Sequence, residues 1–188
     1  MTFIFAKKYC FENKNKCLYF TDTRDKQRYA YVVIGEQTWM AENLNYNASG
    51  SKCYENEDAN CDKYGRLYDW ETALTACPSG WHLPSDDEWD VLVNYAGGSS
   101  VAGGELKATS GWWNSNGTDE FGFSALQGNG GSSDGYFFGA SEGYWWGASE
   151  DENYSDYAYR RTMGGDNDYA YWSYDTKSQL FSVRCLQD

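Results

Sequence analysis

Histidine occurs once and proline twice in these 188 residues, and no apolar run is long. A membrane span needs roughly 20 apolar residues in succession, so no membrane insertion is expected of this chain. Its opening, MTFIFAKK, holds too short an apolar run for a secretory signal, and any signal or anchor is expected outside this sequence. The solitary His82 argues against a serine–histidine–carboxylate relay, which needs an imidazole beside a nucleophile. It lies in GWHLPS, between Trp81 and Leu83 and ahead of a helix start, where a structural histidine bonding a nearby carbonyl is expected.

Basic residues are also scarce. Lys and Arg number 15 against 28 Asp and Glu, a formal charge of -13. Long-range attraction to phosphate backbones or anionic membranes needs the opposite sign, so no nucleic acid is expected as a partner. Nucleotide loops are missing too: the glycine clusters at 97–104 and 128–135 lack the strand–helix setting such loops require. The even cysteine count leaves no obvious free thiol, and the many carboxylates form no recognisable pair. No catalytic residue is assigned, and the chain is not expected to be an enzyme.

What is abundant is aromatic: 9 Trp, 17 Tyr and 9 Phe. A core built from such rings must find a partner for each buried indole N–H and phenol. The length suits one domain able to bury its own core. Cys10, Cys17, Cys53, Cys61, Cys77 and Cys185, with no C-x-x-C, point to disulfides and an oxidising, extracellular compartment. Sequence leaves several connectivities open; the favoured set is Cys10–Cys17, Cys53–Cys61 and Cys77–Cys185. ENEDANCD (55–62) and DNDY (166–169) offer oxygen ligands of the kind Ca²⁺ takes, without full EF-hand spacing. Solvated acidic loops explain both more simply than a bound Ca²⁺, so no metal or cofactor is assigned.

Along the chain, residues 1–18 read as an appendage with a small cysteine loop, and 19–188 as the main domain. RYAYVVIGEQTWMAENL suggests two short strands around a turn at Gly35–Glu36, and 47–63 a polar loop. Two helices follow. In LYDWETALTAC, Leu67, Trp70, Ala73, Leu74 and Cys77 share one face. In PSDDEWDVLVNYAGG, Ser85 and Glu88 form a capping box, and Trp89, Leu92, Val93 and Ala96 an apolar stripe. Short strands are expected in GWWNSNG, FGFSAL and GYWWGAS, and LFSVRC alternates like a half-buried strand. Trp145 and Trp146 are expected in the core. The class is α+β.

IGEQTWMAENLNY, KYGRLYDW, CPSGWHLPSDDEW, DEFGFSAL, GYWWGASE and FSVRC follow one another in that order. Together they resemble the Fibrobacter succinogenes major paralogous domain family over roughly residues 19–188. The resemblance implies a C-type-lectin-like fold with two helices, short twisted antiparallel strands and long loops, close to the formylglycine-generating-enzyme branch. It implies secreted or surface-attached bacterial proteins and a Cys77–Cys185 disulfide. The Glu-Pro-Asn and Gln-Pro-Asp sugar motifs of true C-type lectins are absent, and the active-site cysteines of the formylglycine-generating enzymes have no counterpart.

Ser149–Gln179 is rich in Tyr, Asp, Asn, Ser and Gly. It is similar to the C-terminal segment of variable proteins of diversity-generating retroelements, where adenines are mutated and Asn codons become Tyr, Asp, Ser or Gly. Tyr gives a large rigid contact surface, and short polar residues adaptable hydrogen bonds. The expected ligand-binding set is Tyr154, Asp156, Tyr157, Tyr159, Arg161, Asp166, Asp168, Tyr169, Tyr171, Ser173 and Tyr174, with Tyr157, Tyr159, Tyr169 and Tyr171 carrying the contact. Trp172 is expected either to anchor that surface or to close the core. The expected partner is an extracellular protein or glycan. The alternative is a structural or assembly module of the bacterial surface with no dedicated ligand.

Overall fold

A computed structural model of the chain describes residues 18–139 and 141–188; the expected Cys10–Cys17 bridge and the appendage's cysteine loop lie outside them. β1 (Leu18–Thr21), β2 (Arg28–Ile34) and β3 (Gln37–Met40) form an antiparallel meander. The β2–β3 turn falls where the sequence puts it, with Gly35 in the left-handed region that glycine tolerates (φ 61). The last strand, β12 (Leu186–Gln187), pairs with β3 and with β5 (Trp81–His82), bringing the end of the chain back to its beginning.

The second sheet runs β10-β9-β8-β11-β6-β7 and carries the region of interest. Its strands are β6 (Gly130–Ser132), β7 (Phe137–Phe138), β8 (Glu142–Glu150), β9 (Tyr157–Gly164), β10 (Ala170–Thr176) and β11 (Gln179–Ser182). β4 (Leu67–Tyr68) also pairs with β11. All the pairings are antiparallel except β8 with β11, which meet in parallel at Trp145 and Ser182.

Four α-helices stand among the described residues: α1 (Asp58–Tyr64), α2 (Trp70–Ala76), α3 (Asp86–Tyr95) and α4 (Ala102–Leu106). The α+β class holds, with more helix than the two expected. α1 occupies part of the supposed polar loop. The capping box of α3 forms from both sides, and Trp89, Leu92, Val93 and Ala96 are all buried. α2 is shorter than its periodicity suggests. Asp69 caps it by accepting the Thr72 N–H, so Leu67 belongs instead to β4, Leu74 is exposed and Cys77 lies past the end. Of the expected later strands, GYWWGAS lies within β8, while GWWNSNG is bent and irregular and FGFSAL makes a turn and one isolated bridge, Ala125 with Lys107. LFSVRC is buried throughout rather than half-buried, because both of its faces are covered: Phe181, Val183 and Cys185 join the cluster around Trp146, while Ser182 and Arg184 are met by Asn43.

Successive residues of a strand face opposite ways, and β8 uses this to divide the core. Trp145 packs with Trp39, Trp89, Leu92 and Met163 on one side. Trp146 packs with Tyr68, Trp70, Phe181 and Val183 on the other. The buried indoles are satisfied: Trp145 Nε1 donates to Asn43 Oδ1 (2.8 Å), Trp146 Nε1 to the Tyr68 carbonyl (2.8 Å) and Trp70 Nε1 to the Gly147 carbonyl (2.9 Å).

The Cys53–Cys61 and Cys77–Cys185 disulfides both form. They close sequence separations of 8 and 108 residues. In the chain-entropy account the longer loop constrains the unfolded state more, by roughly 2 kcal/mol. Replacing Cys77 and Cys185 by Ala should therefore lower the unfolding free energy about 2 kcal/mol further than replacing Cys53 and Cys61, measured by urea titration.

Candidate functional site

The Tyr-rich stretch forms the β9–β10 hairpin at the end of the second sheet. Its register pairs Tyr159 with Tyr174, Arg161 with Trp172, and Met163 with Ala170. Residues directly opposite share a face, so the hairpin has two distinct sides. One carries Tyr157, Tyr159, Trp172 and Tyr174. The other carries Tyr171 and Ser173 beside Arg160 and Thr162.

The first side is an aromatic surface. Tyr154, from the loop before β9, meets Tyr157 edge-on (6.0 Å between centroids), and Tyr157 meets Tyr174 (5.8 Å). Tyr159 meets Trp172 in the same geometry (5.6 Å), and Tyr159 and Tyr174 are cross-strand neighbours. Trp172 is 54% exposed, so it anchors no core beneath. The set begins where α3 stops covering the sheet: deeper on the same face Met163 and Trp145 are fully buried. Desolvation, with the Asp151, Asp86 and Glu152 carboxylates nearby, raises the pKa of Tyr159.

The expected site residues divide accordingly. Tyr154, Tyr157, Tyr159 and Tyr174 come together, while Tyr171 and Ser173 lie on the reverse side. Asp166, Asp168 and Tyr169 lie in the β9–β10 turn, and Asp156 is exposed just before β9. Of the four tyrosines expected to act together, Tyr157 and Tyr159 therefore share the aromatic side, Tyr171 is on the reverse and Tyr169 is in the turn.

Arg161 is a correction. It is 1% exposed, and its Nη2 bonds Asp86 Oδ1 and Asp90 Oδ1, both at 2.7 Å, and the Asp86 carbonyl. It fastens the middle of β9 to the first turn of α3 and is unavailable to a ligand. Burial holds the Asp86 carboxyl above its ordinary range, with Arg161 opposing the shift and Asp90 adding to it. Arg160 points the other way, over the rings of Tyr144 and Phe181, and pairs with Asp175.

A second cation, which sequence reasoning missed, holds the turn. The Lys107 side chain is fully buried, and its Nζ donates to the carbonyls of Ser115 (3.0 Å), Gly164 (3.1 Å) and Asn167 (2.6 Å). Desolvation lowers its pKa, with Asp168 and Asp166 opposing. An ammonium thus already sits beside the DNDY segment considered for Ca²⁺, and among the described residues no group of three or more His, Cys, Asp or Glu side chains is placed to hold a metal. The glycines of α4 have a steric reason. A Cβ on Gly103 would lie 2.3 Å from the Tyr169 carbonyl oxygen, so only glycine lets the turn pack on this helix.

His82 bonds two carboxylates rather than a backbone carbonyl: Nδ1 meets Asp188 Oδ1 (2.8 Å) and Nε2 meets Glu88 Oε1 (3.1 Å). Partial burial opposes its charge, but these two hydrogen bonds prevail and raise its pKa. It ties the end of the chain to the α3 cap, with no nucleophile in the arrangement.

A polar cleft of about 560 Å³ lies elsewhere, lined among others by Asp25, Asn45, Tyr46, Asp58, Asp62 and Arg66. It shares no residue with the hairpin.

Residues 32–187 match the Fibrobacter succinogenes major domain family. Neither a curated protein nor a solved structure gives a significant match.

Lys107→Met should leave three carbonyls without their shared donor. We expect a loss of about 3 kcal/mol in unfolding free energy, and faster amide hydrogen exchange across residues 164–169 than in β8.

Proposed function

This chain belongs to the Fibrobacter succinogenes major domain family, and we propose that it is a non-catalytic, extracellular ligand-binding domain whose binding surface is the aromatic side of the β9–β10 hairpin. The observation that carries this is the row of rings formed by Tyr154, Tyr157, Tyr159, Trp172 and Tyr174. Tyr and Trp on a rigid strand pair give contact area at low entropic cost, and such residues are enriched at interaction surfaces. The ligand is a protein or glycan outside the cell. The Cys53–Cys61 and Cys77–Cys185 disulfides support an oxidising location, and no described helix is long and apolar enough to cross a membrane. The two-sheet α+β layout, with its last strand beside β3, is compatible with a C-type-lectin-like fold.

We propose further that the surface is diversified genetically. Tyr154, Ser155, Asp156, Tyr157, Tyr159, Asp166, Asn167, Asp168, Tyr169, Tyr171, Ser173, Tyr174 and Asp175 are all at least partly exposed. The buried positions among them in the chain are Ala158, Arg161, Thr162, Met163, Gly164, Gly165 and Ala170. Tyr, Asp, Asn and Ser thus face solvent across residues 154–175, and the buried positions there hold none of these four types, though they include Gly164 and Gly165. Reading the DNA around the gene tests this: a near-identical repeat differing only at adenines, beside a reverse transcriptase, is the expected finding. A locus with neither would overturn diversification and leave the binding reading standing.

Replacing Tyr157, Tyr159, Trp172 and Tyr174 together by Ala should abolish the wild-type signals on an array of extracellular glycans and proteins. The melting temperature should fall by less than about 4 °C. Replacing Tyr171 and Ser173 by Ala should leave the signals in place. Unchanged array binding in the fourfold variant would refute the assignment of this surface, and a collapse in stability would show that its rings serve the fold.

A further inference from the structure

β10 is the last strand of its sheet and pairs only with β9 among the described strands. Its hydrogen-bonding direction can be fixed at both ends. The Ala170 N–H points away from β9, donating to the Ser99 carbonyl (2.8 Å), whereas the Lys177 N–H points inward to the Asp156 carbonyl (2.9 Å). Backbone groups alternate along an antiparallel strand, so residues 171, 173 and 175 bond β9, and Trp172, Tyr174 and Thr176 direct theirs outward. The Thr176 N–H is met by Asp175 Oδ1 (3.0 Å). Between these two stops, Trp172 and Tyr174 present N–H and C=O groups that have no partner among the described residues.

An edge of this kind is ordinarily blunted by proline, a lysine, a bulge or a covering loop. β10 has no proline, lysine or bulge within it, and the Ser99 loop covers only its start. Its flanking side chains are apolar and exposed, with Trp172 and Tyr174 on one side and Tyr171 on the other.

Charge indicates what would pair there. All three cations of residues 149–179 are engaged internally: Arg160 with Asp175, Arg161 with Asp86 and Asp90, and Lys177 with Glu150. Exposed Asp166 and Asp168 precede the strand, and the exposed Asp156 lies beside its far end. The edge is thus bracketed by carboxylates, of which Asp168 has a cation near it, the buried Lys107 ammonium at 3.9 Å, and it is flanked by rings that accept cations over their faces.

We propose that the outer edge of β10 binds an extended, basic segment of a partner protein as an added strand. This rests on the reading of the hairpin as a binding surface and narrows its partner to a polypeptide. Main-chain pairing at Trp172 and Tyr174 supplies register, and alternate Lys or Arg side chains of the partner lie on the side of the Trp172 and Tyr174 rings.

The test uses the full chain, labelled with ¹⁵N, and two synthetic probes: an alternating Lys-Val octapeptide and its Glu-Val counterpart. Amide exchange at Trp172 and Tyr174 should slow by about tenfold or more with the Lys-Val peptide. The already bonded Ser173 and Asp175 amides should change little, and the Glu-Val peptide should do nothing. Tyr174→Pro removes an outward donor without touching the β9 ladder. It should end Lys-Val binding, whereas Tyr174→Ala should only weaken it. Peptide binding without protection at these amides would overturn strand addition while leaving the aromatic surface as the site. Absence of Lys-Val binding at millimolar concentration would overturn the proposal, as would equal protection produced by concentrating the chain alone.

Discussion

The amide of Asn43 is the contact on which the arrangement of this domain depends. Its oxygen accepts from Arg184 Nε (3.0 Å) and Nη2 (2.7 Å) and from the Trp145 indole (2.8 Å). Its nitrogen donates to the Tyr64 carbonyl (2.8 Å) and to Ser182 Oγ (3.3 Å). Arg184 is completely buried, with its other contacts to the Met40 and Phe123 carbonyls and to the face of the Phe123 ring. Desolvation lowers its pKa to about 9, with Glu42 and Asp119 opposing. A buried charge is tolerated only when its donors are met, so this group accepts very few arrangements of the segments around it. It fixes the end of α1, the segment after β3, β11 and β8 relative to one another. The β9–β10 hairpin hangs on β8 and inherits that position.

The hairpin is then held from beneath at two points, in each case by a cation. Arg161 joins the middle of β9 to α3, and Lys107 gathers three carbonyls around the β9–β10 turn. Both work with their charge out of water, where hydrogen bonds are electrostatically strong and an unmet partner is costly. The consequence is a division of labour within one hairpin. Inward positions are specified tightly by Arg161, Thr162, Met163 and Ala170. The outward ones touch little besides each other and can change residue type without reaching the core.

Much of this was legible in the sequence where the signal is local. The capping box of α3, its apolar stripe and the β2–β3 turn follow from local spacing and turn chemistry, while the burial of Trp145 and Trp146 was implied by the resemblance to the family. What was not legible depends on partners distant in the chain. Leu67 fits the helical stripe of α2, but Asp69 caps the helix after it and β11 takes Leu67 as a strand partner. Arg160 and Arg161 read alike, and only the fold shows that Arg161 is buried against the Asp86 and Asp90 carboxylates of α3 while Arg160 lies on the opposite face with Asp175. Lys107 carries no local mark at all, because its three acceptors lie 8, 57 and 60 residues away. The arrangement of the tyrosines was not legible: alternation groups Tyr157 with Tyr159 and Tyr169 with Tyr171, yet the fold leaves Tyr169 in the turn, and only the cross-strand register shows that Tyr171 faces away from Tyr157 and Tyr159.

That arrangement bears on how such a surface would discriminate. Rings that contact one another edge-on form a continuous but uneven relief, and a change at one strand position alters the footprint of its diagonal neighbour across the hairpin. Specificity can therefore shift with few substitutions. The main-chain edge of β10 and the surplus of carboxylates on the rest of the domain would remain constant whatever side chains the hairpin displays. Constant features set orientation and encounter, since a net charge of -13 acts over a Debye length and favours cationic partners before any contact forms. Variable features then decide which encounters persist, because differences among related complexes reside mostly in dissociation. A domain built in this way can keep its mode of docking while its choice of partner drifts.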